Sequence, residues 1–306
     1  MAMANRLPDF IIAGAPKSGT TSLYFYLKQH PDIFVPDKKE LHFFSFERLA
    51  ANAAGPEDDY ILSTLCADKE AYANYYRTAN HHAAVGEFSP SYLYYCETAE
   101  DIRRMLGDST KIILMLRNPV EKSYSQYMHQ VRNNLERLSF EQALAAEPQR
   151  RAMGWSDIWR YAESSLYAQR TRHFIRVFGR SKVRVIIFEE FIADPQNELS
   201  GLLRFIGVDD RVPIDTGKVY NRTGKPRSRL AADLLAQPSL LKSVLKRIVP
   251  ERMRSRIRLT LQDLNSAPKE AMPASCRRRL EDFFRKDIAD LETCLDRPLP
   301  WNKEPA

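Results

Sequence analysis

The run Asp9-Phe10-Ile11-Ile12-Ala13-Gly14 leads at once into Ala15-Pro16-Lys17-Ser18-Gly19-Thr20-Thr21-Ser22. A helix-like stretch from Thr20 to Gln29 follows and stops near Pro31. An apolar run ending in Gly reads as a strand buried on both faces. Strand, glycine loop and helix in that order form half of a βαβ unit, and such units build parallel sheets covered by helices on both sides. The alternation recurs downstream. Ala84–Phe88 and Lys111–Leu116 read as strands, and Arg117-Asn118-Pro119 opens a helix to about Asn133, with Pro119 suited to its first turn. Leu166–Phe178 reads as helix, Val183–Phe188 as strand and Asn197–Ile206 as helix. From Leu230 the pattern is helical, clearest over Ser275–Leu295. The expected fold class is α/β, a central and mostly parallel sheet flanked by helices. One domain is expected over 1–306, with a helical, basic C-terminal part from about 230.

Several classes are disfavoured by composition. No stretch approaches the ~20 apolar residues of a membrane helix, and Met1–Pro8 carries no apolar signal core. Four Cys (Cys66, Cys96, Cys276, Cys294) lie far apart with no C-x-x-C spacing. They read as reduced thiols, so a cytoplasmic setting is expected. The net charge of +7 is unevenly spread. Twelve basic residues between Lys218 and Arg258 face only Asp233 and Glu251, so this segment is +10 and the remainder about −3. Such a segment favours an anionic partner, and with Leu and Ile interleaved it is a candidate for peripheral membrane contact.

The loop between the first strand and its helix is where a parallel sheet binds anions, because turn and helix N–H groups converge there. Lys17 adds a cation, and Thr20 and Thr21 add hydroxyl donors. The kinase-type pattern G-x-x-x-x-G-K-[ST] is nearly met and then broken. Gly14 and Gly19 keep the spacing, but Thr20 stands where Lys belongs and the Lys has moved to the other side of Gly19. A second anion site is suggested by Arg117 at the end of a strand, with Ser125 and Tyr127 in the helix behind it.

Three segments together, Lys17-Ser18-Gly19-Thr20-Thr21-Ser22, Lys39-Glu40-Leu41-His42-Phe43-Phe44 and Arg117-Asn-Pro-x5-Ser125-x-Tyr127, resemble the sulfotransferase family. The likeness is greatest to the branch holding heparan sulfate sulfotransferases and their bacterial relatives. It extends to Glu87-Phe88-Ser89-Pro90-Ser91-Tyr92, to Tyr167–Phe191 and to the ending Leu299-Pro300-Trp301. The resemblance implies a fold like that of nucleotide kinases. It also implies transfer of a sulfuryl group from 3′-phosphoadenosine 5′-phosphosulfate (PAPS) to a hydroxyl, less often an amine, without a metal. On that reading Lys17, Ser18, Gly19, Thr20, Thr21 and Ser22 bind the 5′-phosphosulfate, and Arg117 and Ser125 bind the 3′-phosphate. Glu40 matches the family's catalytic carboxylate and His42 its neighbouring His, so Lys17, Glu40 and His42 are the catalytic candidates.

Departures from the branch bear on the acceptor. Ser45 stands where Asp is usual, and Phe88 where a Lys helps hold a sulfated sugar. The late Lys-Gly-Arg loop has no clean counterpart, and Lys225 and Arg227 in a Gly-containing basic loop are the candidates to close on the nucleotide. Phe88 with Tyr92, Tyr94 and Tyr95 suggests a small-molecule, lipophilic or glycolipid acceptor rather than heparan, though carbohydrate remains within the class. No nucleic-acid partner is implied. The alternatives are a nucleotide or small-molecule kinase, which the displaced Lys disfavours, and a binding module acting through the basic segment.

Overall fold

The computed structural model describes residues 6–218, 225–226, 266–267 and 270–302. Five parallel strands form its centre: β1 (Phe10–Gly14), β2 (Ile33–Phe34), β3 (Ala84–Phe88), β4 (Lys111–Leu116) and β5 (Val183–Ile187), in the order β2–β3–β1–β4–β5. The helices are α1 (Thr20–Leu27), α2 (Phe46–Ala50), α3 (Asp58–Thr64), α4 (Lys69–Asn74), α5 (Thr98–Leu106) and α6 (Pro119–Arg132). They continue with α7 (Phe140–Ala145), α8 (Glu147–Ala152), α9 (Ala168–Phe178), α10 (Phe188–Ala193), α11 (Pro195–Ile206) and α12 (Ala274–Leu295).

Side chains alternate along a strand, so each central strand feeds two cores. Ile11, Ala13, Ile112, Leu114 and Leu116 pack with α6, α9 and α12. Phe10, Ile12, Ile113 and Met115 pack with α1 and α11 on the opposite face. The α/β expectation holds, and all of its predicted strands and main helices are present. The short β2 and the short helices α2 to α5, α7, α8 and α10 were not anticipated. Lys225–Pro226 pairs antiparallel with Ser266–Ala267. Arg227 and the expected basic helix from Leu230 lie outside the described residues. No helix of the described residues is long and apolar enough to cross a membrane.

The topology locates the site. From β1 the chain goes to β3 and β2 on one side and to β4 and β5 on the other, so a crevice opens beyond the carboxyl end of β1. The register between β1 and β4 shifts between Ile12 and Gly14, which turns the chain out of the sheet into the loop.

Candidate active site

A cavity of about 630 Å³ occupies this crevice. It is bordered by Lys17, Gly19, Thr20, Thr21, Ser22, Glu40, His42, Arg117 and Ser125, which the sequence had scattered over more than a hundred positions. Ser18 is fully buried beside them. Gly19 sits at φ 91, and a Cβ there would come within 2.8 Å of the Phe188 ring. A side chain would therefore be strained and would fill the loop's cradle. Helix α1 opens directly after it with no acidic residue in its first turn, so its positive end faces the cavity uncompensated.

Positive charge converges on the loop. Burial is the main cause that lowers Lys17 to about 8, followed by the nearby Arg132, with Arg117 and Lys39 adding to it against the pull of Glu40. Arg117 follows β4, donates to the Lys17 carbonyl at 3.2 Å and lies over the Phe188 ring at 5.0 Å. Its Nε is buried with no hydrogen-bond partner, as are those of Arg160 and Arg184, but of these three Arg117 alone borders the cavity, where an anion would relieve it. The turn carrying Arg117 is held by Glu189, which accepts from Asn118 N–H at 3.0 Å and from Trp301 Nε1 at 2.9 Å. The chain's Leu-Pro-Trp ending thus braces this turn. Asn118 caps α6 through Val120 N–H at 3.0 Å, with Pro119 in the first turn as expected. Ser125 borders the cavity, whereas Tyr127 lies some 200° further round the helix and donates to the Leu138 carbonyl at 3.0 Å.

Glu40 and His42 face the loop from the segment after β2. Lys17, Glu40 and His42 have φ of 64, 68 and 53, three of the six non-glycine residues with positive φ among the described residues. Such backbone costs of order 1–3 kcal/mol each and persists where surroundings over-determine it. Here they do. The Lys39 ammonium pairs with Glu40 Oε1, and His42 Nε2 lies 3.5 Å from Glu40 Oε2. Burial pulls the Glu40 carboxyl upward, but Lys39 and His42 overcome it and hold the group well below the usual carboxylate range. His42 Nδ1 is 2.6 Å from Ser91 Oγ, which is 2.7 Å from Ser45 Oγ. Ser45, standing where the branch has Asp, is therefore a buried link behind the imidazole.

Three further ionisable side chains lie at or beside the site and are not among the candidates read from the sequence. Glu87 is 1% exposed in β3 and accepts from Tyr72 at 2.5 Å, from Ser89 at 2.7 Å and from Tyr92. A charge inside an apolar strand run was the available signal, because buried carboxylates require donors. His129 borders the cavity one turn beyond Ser125, and burial with the charges of Lys17 and Arg132 lowers it to about 3. It is neutral there. Asp157 also borders the cavity, and burial raises its carboxyl despite Lys122 and His42.

The aromatic acceptor wall expected from Phe88, Tyr92, Tyr94 and Tyr95 is not among the residues bordering the cavity. Strand alternation turns Phe88 to the face opposite Glu87, where its ring packs on Tyr24 at 5.3 Å. Tyr92 is committed to Glu87, Tyr94 pairs with Arg160 at 2.6 Å, and Tyr95 is buried.

Comparison with known proteins agrees with this geometry. The profile of the Sulfotransferase family matches residues 8–211. The chain is 36% identical over 124 residues to membrane-associated sulfotransferase kil1 of Dictyostelium discoideum, covering 40% of this chain and 22% of that protein. It is 29% identical over 225 residues to human heparan sulfate glucosamine 3-O-sulfotransferase 6, covering 71% of this chain and 57% of that one. The chain thus spans less than two thirds of the length of either relative. A solved sulfotransferase from Alicyclobacillus acidocaldarius superposes with a TM-score of 0.78 at 33% identity, covering 97% of this chain and 100% of that one. The fold is the P-loop-like fold of sulfotransferases, and the chain belongs to the sulfotransferase family.

Proposed function

We propose that the protein transfers the sulfuryl group of PAPS to a hydroxyl of a carbohydrate, glycolipid or small-molecule acceptor. The observation that carries this reading is Lys17 and Arg117 bordering one cavity at the N-terminus of α1, with the buried Arg117 Nε unpartnered. The loop Lys17–Ser22 would hold the 5′-phosphosulfate, and Arg117 with Ser125 the 3′-phosphate. The acceptor oxygen bonds to sulfur as the bond from sulfur to the 5′-phosphate oxygen breaks. That electron pair leaves with the 3′,5′-bisphosphate, and Lys17 neutralises the developing charge. The acceptor proton passes to Glu40. A carboxylate held so low is a weak equilibrium base, so the proton leaves late, once the new bond has made the hydroxyl strongly acidic. His42 holds the carboxylate. Lys225 and Arg227 are proposed to close over the nucleotide. The four unpaired cysteines support a reducing, cytoplasmic setting.

The test is nucleotide choice. At a hundred times its Kd, 3′,5′-adenosine bisphosphate adds about 2.7 kcal/mol of stability, read as a rise in Tm. ATP with Mg²⁺ is expected to add little. The reverse preference would favour a kinase and overturn the reading.

A further inference from the structure

The two ends of the cavity differ in chemistry. The end beyond β5 is bordered by Tyr26, Phe188, Phe191 and Thr216, and Tyr26 donates to the Thr216 carbonyl at 3.1 Å. Arg117, over the Phe188 ring at 5.0 Å, stands at this side. The other end lies beyond the β2 edge, past Glu40 and His42. Its wall is Leu49, Ala53, Ile61, Leu62, Leu65 and Ile158, contributed by α2, α3, the turns that follow them and the segment before α9. Besides Glu40 and His42, the carboxylates of Asp58 and Asp157 border this part, and the cations behind it are already engaged: Lys39 pairs with Glu40, and Arg160 donates to Asn52 Oδ1 at 3.0 Å.

This wall is anchored. Asp58, 2% exposed, accepts from Gly55 N–H at 2.8 Å, Ser156 N–H at 3.1 Å, Ser156 Oγ at 2.8 Å and Trp159 Nε1 at 3.3 Å. Four donors satisfy the carboxylate, and three of them, from Ser156 and Trp159, tie α3 to a distant segment of the chain. The apolar side chains of α3 are thus held toward the cavity next to the catalytic candidates.

We propose that this end receives a neutral alcohol or phenol with an apolar body, its hydroxyl directed at Glu40. The proposal rests on the sulfotransferase reading above and narrows its acceptor. A polyanionic glycan would bring sulfates and carboxylates against Asp157 and an apolar wall, where Lys39 and Arg160 are already committed to Glu40 and Asn52. A neutral apolar body instead loses only its hydration shell, the favourable direction.

The full chain is given PAPS with 1-octanol, 4-nitrophenol or an N-sulfated heparan oligosaccharide, and labelled product is counted. The neutral acceptors are expected to exceed the oligosaccharide in kcat/KM by about tenfold or more. Leu62→Ala should lower kcat/KM for octanol by about tenfold or more, the usual scale for lost methylenes in an apolar pocket. Its Tm rise with 3′,5′-adenosine bisphosphate should match wild type, which also shows that the variant folds. Leu62→Lys should narrow the gap between octanol and the oligosaccharide. An oligosaccharide sulfated as well as or better than the alcohols overturns the proposal; the basic 218–258 segment is the feature that would favour it. Bisphosphate binding with no transfer to either neutral compound overturns the acceptor assignment alone. Absence of bisphosphate binding and of any transfer from PAPS brings down the underlying reading, and this proposal with it.

Discussion

The main-chain N–H of His42 donates to the Ser89 hydroxyl at 2.9 Å, and that hydroxyl donates to the buried Glu87 carboxylate at 2.7 Å. The left-handed backbone at Glu40 and His42 is thereby tied to the end of β3, in the rigid centre of the sheet. Glu87 touches neither end of the cavity, yet it sets where the candidate base stands.

Ser89→Ala removes this link. It strands the His42 N–H and takes one donor from Glu87, an expected cost of about 1–3 kcal/mol in urea unfolding. A misplaced base is expected to lower kcat by up to about a hundredfold, with the Kd for 3′,5′-adenosine bisphosphate unchanged. Loss of nucleotide affinity equal to the loss of kcat would show that Ser89 supports the whole site rather than the Glu40 segment.

Lys17 makes the alkaline behaviour specific. Its ammonium is lowered to about 8, chiefly by burial and then by Arg132. Its charge is therefore lost from the free enzyme as pH rises through that value. The profile of kcat/KM for PAPS is expected to fall above about 8, while kcat holds further up because bound phosphates favour the charged form. Lys17→Arg should remove this limb, Arg staying protonated, and Lys17→Ala should abolish turnover and weaken nucleotide binding. Turnover of Lys17→Ala near wild type would take Lys17 out of the mechanism.

Arg117→Ala is expected to weaken nucleotides that carry a 3′-phosphate. A charge-assisted contact contributes about 1.5–3 kcal/mol, or roughly ten- to a hundredfold in affinity. Calorimetry with 3′,5′-adenosine bisphosphate and with adenosine 5′-phosphate separates the outcomes. Equal losses for both ligands would mean that Arg117 does not read the 3′ group.

Glu40→Gln preserves shape and removes the proton acceptor. Turnover is expected to fall by roughly 10²–10⁴ with nucleotide affinity retained. His42→Asn is the paired substitution. A dead His42→Asn beside an active Glu40→Gln would move the base to the imidazole, and two active variants would make the segment structural.

The signals legible along the chain are local. The apolar run Phe10–Gly14, the loop glycine Gly19 and the Arg117-Asn118-Pro119 turn are legible because periodicity, glycine and proline act over a few residues. Those same signals set the parallel sheet and the anion loop. A two-residue strand such as Ile33–Phe34 has no periodicity to read, and its pairing with Ala84 and Val85 exists only once β3 is in place. Which residues meet depends on how distant segments pack. Glu87 and Phe88 are neighbours in the chain, yet one anchors the Glu40 segment and the other fills the far core, because strand alternation sends them to opposite layers. The apolar wall of the acceptor end likewise depends on Asp58 meeting Ser156, 98 positions away. Contacts across such separations arise from how helices pack on a sheet, and no short stretch of the chain encodes that packing.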